Sequence, residues 1–263
     1  MKNVIIYLLF CATLGTNTPA FASIVILNGL SHTHEIKAGE IYSGQIIIQN
    51  TEVEEQAVNL YLRDYLFYKS GEIKYDEPGE QARSNTQWVK LSPAYVVLSP
   101  REKKIISYEI AVPQLLSDKG TFWSVVMLEG VQKRTEQSTA AQLKINTKVR
   151  YAVQLITNVS AEAKKYLRFD GVKLATIKDK PYVVVDVENT GDYLLSPHIS
   201  LEIFDQTGQS MGVFKSDKRK TFPSTSLRFK LPLENIPRGN YKALLLADCG
   251  DRNVFGMNLD LVL

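Results

Sequence analysis

The sequence predicts an all-β protein built as two immunoglobulin-like antiparallel β-sandwich domains in tandem, and three observations carry that prediction. Short β-branched and aromatic runs follow one another almost throughout, each closed by Gly, Pro, Asn or Ser. They fall into two sets divided at TNVSAEAKKYLRFD (157–170), the one stretch of helix-like composition after the N-terminus. The first set ends in AAQLKINTKVRYAVQLI (140–156), which alternates apolar and polar residues for roughly three times the length of an ordinary strand. Strand side chains point to opposite faces in turn, so this period of two defines one apolar and one wet face.

Residues 1–22, MKNVIIYLLFCATLGTNTPAFA, place one Lys before an apolar run and end on Ala20-Phe21-Ala22, the small-x-small pattern that signal peptidases cut. They read as a secretory signal, with the chain, periplasmic or otherwise exported, expected to begin at Ser23. The run from Val4 to Leu14 is too short to span a bilayer, which takes about 20 residues, and no later segment approaches that length. No integral membrane segment is therefore expected after signal removal. Cys249 is then the only thiol, so no intrachain disulfide forms and the core must hold the fold. That thiol is expected to pack as a small apolar group beside the last hairpin. Lys and Arg number 31 against 28 Asp and Glu, without a basic cluster interleaved with aromatics, so nucleic acid is not expected as a partner.

From Ser23 the strands IVILN, GQIIIQN, AVNLYLRDYLFY, GEIKY, TQWVKLSP, AYVVLSP, KIISYEIAVP, GTFWSVVMLEG and the 140–156 run make a first domain, 23–156. Residues 157–170 read as a linker, where Ser160 can cap a single turn and Lys164 and Lys165 lie open to proteases. GVKLATI, PYVVVDVEN, HISLEIFD, GVFK, TSLRFKLP, GNYKALLLAD and VFGMNLDLVL then make a second domain, 171–263, with the strand content of one immunoglobulin-type sandwich. In GTFWSVVMLEG, Phe122, Val126 and Leu128 share one face while Trp123, Val125 and Met127 share the other. Both faces want cover, although a sandwich strand normally needs one. Loop 67–87 is expected to cover the second face, the alternative being a partner-binding surface. Gln49-Asn50-Thr51 and Glu188-Asn189-Thr190 end strands at matching places in the two domains.

Nothing in the sequence organises catalysis, so no enzyme, catalytic residue or cofactor is expected. The only histidines are His32, His34 and His198, and no Gly-x-Ser-x-Gly elbow or phosphate-cradling Gly loop occurs. His32 and His34 would share a strand face. With no third ligand evident they read as exposed residues near the mature terminus rather than as a metal site. ADCGDRN reads as a tight hairpin turn rather than a calcium loop, and KYDEPGEQARSN as a solvated loop.

Three stretches carry a family likeness: WVKLSPAYVVLSPREKKIISYEIAVP, GTFWSVVMLEG and LKINTKVRYAVQL. In these, and in its two-domain layout, the chain resembles the periplasmic chaperones of fimbrial (pilus) subunits. The resemblance implies that the long strand lends its edge to a protein subunit, with alternate side chains filling the subunit's groove. The residues it points to are Leu143, Ile145, Val149 and Tyr151. It also implies a basic pair near the interdomain cleft that grips a terminal carboxylate: Arg150 matches one member by position, whereas SIVILNG, the first strand, holds no basic residue. Read from the residues alone, the 140–156 strand equally serves to complete its own sandwich, with Lys144, Lys148 and Arg150 guarding its wet face. The run AGEIYSGQIIIQNTEVEEQAVNLYLRDYLFYKSGEIKYDEPG resembles bacterial cell-surface proteins with immunoglobulin-like, wall-binding modules, which implies an adhesion or structural role instead.

Overall fold

The computed structural model describes residues 23–131, 149–160 and 162–263. Residues 1–22, and with them the expected signal, lie outside the described residues, as do Leu143 and Ile145.

The first sandwich runs β1 (Ile24–Ile26), β2 (Ser31–Glu35), β3 (Ile41–Asn50), β4 (Gln56–Phe67), β5 (Ile73–Asp76), β6 (Val89–Ser92), β7 (Tyr95–Leu98), β8 (Lys103–Ala111), β9 (Gly120–Val131) and β10 (Arg150–Val159). One sheet has the order β1-β3-β8-β6 and the other β2-β10-β9-β4-β5, with β7 also on β4. The N-terminal segment thus changes sheets: β1 pairs antiparallel with β3, the chain turns through Gly29 at φ 88°, and β2 pairs parallel with β10. Alternation fixes which residues meet between the sheets. Ile46 and Ile48, Ile106 and Ile110, and Val153 and Leu155 are fully buried in one core, each contributing about 1.5–3 kcal/mol of hydrophobic burial.

The second sandwich consists of β11 (Leu167–Ile177), β12 (Lys180–Asn189), β13 (His198–Phe204), β14 (Ser210–Lys215), β15 (Ser226–Pro232), β16 (Asn240–Asp248) and β17 (Val254–Val262). Its sheets are β11-β12-β15 and β14-β13-β16-β17, closed over Val183, Val185, Val187, Ile199, Leu201, Ile203 and Leu245. The seven expected strands are all present. β16 and β17 join through the ADCGDRN turn, where Asp248 Oδ1 accepts from Gly250 N at 2.8 Å and Asp251 and Arg252 take positive φ. Cys249 packs against this core, and burial pushes its thiol up to about 11.

Three expectations change. The connection between the domains is 160–166 rather than 157–170, because Thr157 and Asn158 are buried strand residues of β10 and Leu167–Asp170 already belong to β11. SHTHE, not among the expected strands, is β2. Among the described residues there is no α-helix: the only helical turn is the 3-10 segment Thr86–Trp88, and Ser160 sits at φ 70°.

Candidate functional site

β10 is bonded to β9 along its whole length, Arg150 opposite Glu129 through Val159 opposite Gly120. On its other side β2 covers only Gln154–Asn158. Arg150–Val153 therefore form an open edge, to which no described residue pairs. Gln154 N donates to Leu30 O at 2.9 Å, so the even-numbered residues of β10 aim their N–H and C=O groups at that side. Arg150 and Ala152 accordingly present outward backbone donors and acceptors that no described residue pairs, while the odd-numbered residues bond to β9.

The side chains along this edge divide by face. Val153 and Leu155 fill the protein's own core, and Tyr151 packs partly against it. Val149 is 41% exposed. Arg150 lies on the opposite face, where its Nε meets Glu129 Oε2 at 2.9 Å. Glu129 also accepts from the Tyr61 hydroxyl at 2.9 Å, and burial together with that bond raises the Tyr61 phenol. Arg150 opens the strand and Val159, beside the second domain, closes it, so Arg150 stands at the end away from the cleft.

At the cleft end the second face of β9 finds its cover. Trp123 stacks on Phe222 of the second domain with ring centroids 4.6 Å apart, its Nε1 donates to Tyr65 O at 2.6 Å, and Ile156 completes the cluster. Loop 67–87 contributes differently from expectation: Trp123 N donates to Arg83 O at 3.0 Å, and the Gln81 amide donates to Trp123 O at 2.8 Å. The apolar lid over Trp123 is the second domain itself. KYDEPGEQARSN is correspondingly not a free loop, since Arg83 pairs with Asp192 across the domains at 2.5 Å.

The cleft holds a cavity of about 390 Å³ lined by Tyr65, Phe67, Gln154, Arg219, Lys220 and Phe222 among others. Lys220 Nζ donates to Ser31 Oγ at 2.5 Å, and burial lowers the pKa of its ammonium. Arg219 donates to Arg228 O at 2.9 Å and lies over the Phe229 ring. Neither cation has an ion-pair partner among the described residues. Sequence reading missed both, because they come from the second domain, between β14 and β15, and only the docking of the two sandwiches brings them to β10.

The molecule is thus a tandem of sandwiches whose last first-domain strand keeps one end of an edge uncovered by any described residue and runs at its other end to a cleft lined by Arg219, Lys220 and Glu72. No family model and no curated protein matches the chain. Among solved structures it is similar over 91% of its length to the class 5 fimbriae chaperone CfaA, with 13% identity, 99% of that chain covered and a TM-score of 0.48. Over the same share it is similar to a chain of a chaperone–tip adhesin complex of CFA/I fimbriae biogenesis (12% identity, 98% of that chain, TM-score 0.49). The CupB2 chaperone of Pseudomonas aeruginosa is another such structure (12% identity, 100% of that chain, TM-score 0.44).

Proposed function

We propose that the protein is an exported, chaperone-like binder of surface or fimbrial subunits, which it holds by pairing the open edge of β10 with an extended segment of the subunit. The observation that carries this reading is the edge itself: Arg150 and Ala152 offer N–H and C=O groups unpaired among the described residues, each worth about 0.5–1.5 kcal/mol net once bonded. Val149 and Tyr151 flank those groups, and Leu143 and Ile145 precede them in the sequence at the same parity. The N-terminal signal-like segment supports export to the periplasm. Lys220, desolvated and without an ion pair although Glu72 lines the same cavity, and Arg219 beside it are better placed than Arg150 to meet a partner carboxylate in the cleft. The activity involves binding and no chemistry.

A surface or wall-associated structural module is the competing reading, and the burial of Val153 and Leu155 in the protein's own core speaks for it. Ala152→Pro separates the two. Proline removes only the outward-facing N–H of residue 152 and leaves the bonds to β9 in place. Under strand donation the variant keeps its melting temperature and loses capture of a co-expressed fimbrial subunit. Capture undiminished by Ala152→Pro rules the edge out.

A further inference from the structure

We infer that His32, His34 and Tyr108 form a binding site for a divalent transition-metal ion of borderline softness, such as zinc or copper(II), bracing the two sheets of the first domain. The inference is independent of the proposed function. His32 and His34 lie two apart on β2 and so share one face of the strand. Their register partners on β10, Leu155 and Thr157, are fully buried, which places both rings on the inner face. There they converge on one atom: His32 Nδ1 is 3.0 Å and His34 Nε2 2.9 Å from the Tyr108 hydroxyl oxygen. Metal–ligand bonds of about 2.0–2.1 Å set neighbouring tetrahedral donors roughly 3.3 Å apart, so these hydrogen-bonded spacings need open by only a few tenths of an ångström to admit a shared cation. No group of three His, Cys, Asp or Glu among the described residues could hold a metal, and here the third donor is a phenol.

The surroundings fit a cation. Tyr108 comes from β8, in the sheet opposite β2, and its ring crosses directly over its cross-strand partner Gly44, where any Cβ would collide with the phenol. The Tyr42 ring lies against His34, centroids 3.7 Å apart and planes tilted by 32°. A cleft of about 460 Å³ opens onto the three donors and admits water to the remaining coordination positions. No Lys or Arg is among its lining residues. Burial lowers the pKa of both imidazoles, opposed at His32 by the backbone of Asn28 and Gly29. His32 Nε2 is buried without a hydrogen-bond partner, and Nδ1 is the ring nitrogen that faces the Tyr108 oxygen. Burial also raises the Tyr108 phenol. On binding, the phenol proton passes to solvent and the Tyr108 oxygen bonds the metal, with no change of oxidation state.

The purified protein, stripped with chelator, is titrated with Zn²⁺ by calorimetry and melted with and without it. The expected result is saturable one-to-one binding at micromolar metal, a raised Tm, and an affinity that falls with pH as protons compete for the imidazoles. His34→Gln and Tyr108→Phe should each weaken binding by more than about tenfold, since even an outer-shell partner is worth that much, whereas His198→Gln should leave it unchanged. With Cu²⁺, a phenolate-to-metal charge-transfer band in the visible should appear in the wild type and be absent from Tyr108→Phe. Should Tyr108→Phe fail to fold, His34→Gln and the wild-type spectrum decide. A wild type that does not bind saturably, or that binds no better than His34→Gln, or a copper complex without the band, would show a hydrogen-bonded polar cluster and overturn the assignment.

Discussion

Asn50 and Asn189 occupy corresponding corners of the two sandwiches and make the same bonds. Each is fully buried. Asn50 Nδ2 donates to Glu54 O at 2.7 Å and Ser99 O at 3.0 Å, and its Oδ1 accepts from Glu52 N at 2.9 Å. Asn189 Nδ2 donates to Tyr193 O at 2.8 Å and Thr221 O at 3.0 Å, and its Oδ1 accepts from Gly191 N at 3.0 Å. The matching Asn-Thr pairs were legible in the sequence, but not the carbonyls they serve: one in each corner lies four residues on, and the other, of Ser99 or Thr221, arrives from a loop distant in the chain. Removing the amide strands several backbone groups, so Asn189→Ala should cost about 2–4 kcal/mol, read as a lower urea midpoint with an unchanged slope. A loss below about 0.5 kcal/mol, the scale of an ordinary surface change, would reduce the corner to decoration. A second residue-scale contact sets an acid limb. Arg228 grips Asp186 from the facing strand position at 2.7 and 2.8 Å, holding that carboxyl below its usual range. A depressed carboxylate stabilises the fold above the unfolded pKa of about 4 and loses its contribution as pH falls through the folded value. Arg228→Met should therefore be less stable than wild type at neutral pH, and the gap should close in urea melts carried below that range.

Among the elements, β2 and β10 govern what can bind. The apolar alternation of β10 identified Val153 and Leu155 as a shared face, and that face closes the protein's own core. Val149, 41% exposed, sits just beyond it. Val149→Asp should thus change stability by no more than about 0.5 kcal/mol, whereas Leu155→Asp buries a charge without a partner and should unfold the first domain at ordinary temperature. Circular dichroism melts of the two variants measure the contrast, and equal losses would mean that the strand packs differently. β2 was legible only as the strand face that His32 and His34 share, because Ser-His-Thr-His-Glu has no apolar period. It is a strand because β10 offers it a parallel ladder and because two imidazoles can meet Tyr108 beneath it. The open edge was illegible for the same reason, since its length is whatever β2 leaves uncovered. Thr157 and Asn158 read as linker from their polarity, yet both are buried, with Asn158 bonded to Thr121 Oγ1 at 2.6 Å and to Glu35 at 2.7 Å. Burial of satisfied polar groups is what composition cannot reveal.

Across the whole molecule, the two sandwiches are pinned rather than strung. Lys164 and Lys165 were expected to offer an open cutting site, but Lys164 O accepts from Asp192 N at 2.7 Å and the Lys165 ammonium lies over the Tyr193 ring. The same Asp192 accepts from Thr121 N at 2.8 Å through its carbonyl and from Arg83 through its carboxylate. Gly120 makes this junction possible: it sits at φ 110°, and a Cβ there would run into the Asp192 carbonyl. Gly120→Ala must therefore move Asp192 and loosen everything it ties, including the stack that seals Trp123, 1% exposed, under Phe222. Each sandwich retains its own core, so far-ultraviolet circular dichroism should stay as in the wild type. In a Trp88→Phe background, where Trp123 is the remaining tryptophan, its emission should shift to the red as water reaches the ring, and trypsin should cut at Lys164 or Lys165 faster than in the wild type. Red-shifted emission with lost circular dichroism would mean that Gly120 holds the first sandwich together rather than the pair. Unchanged emission and unchanged cutting would mean that the domains dock without help from this junction, leaving the cationic cleft to be held by the apolar stack alone.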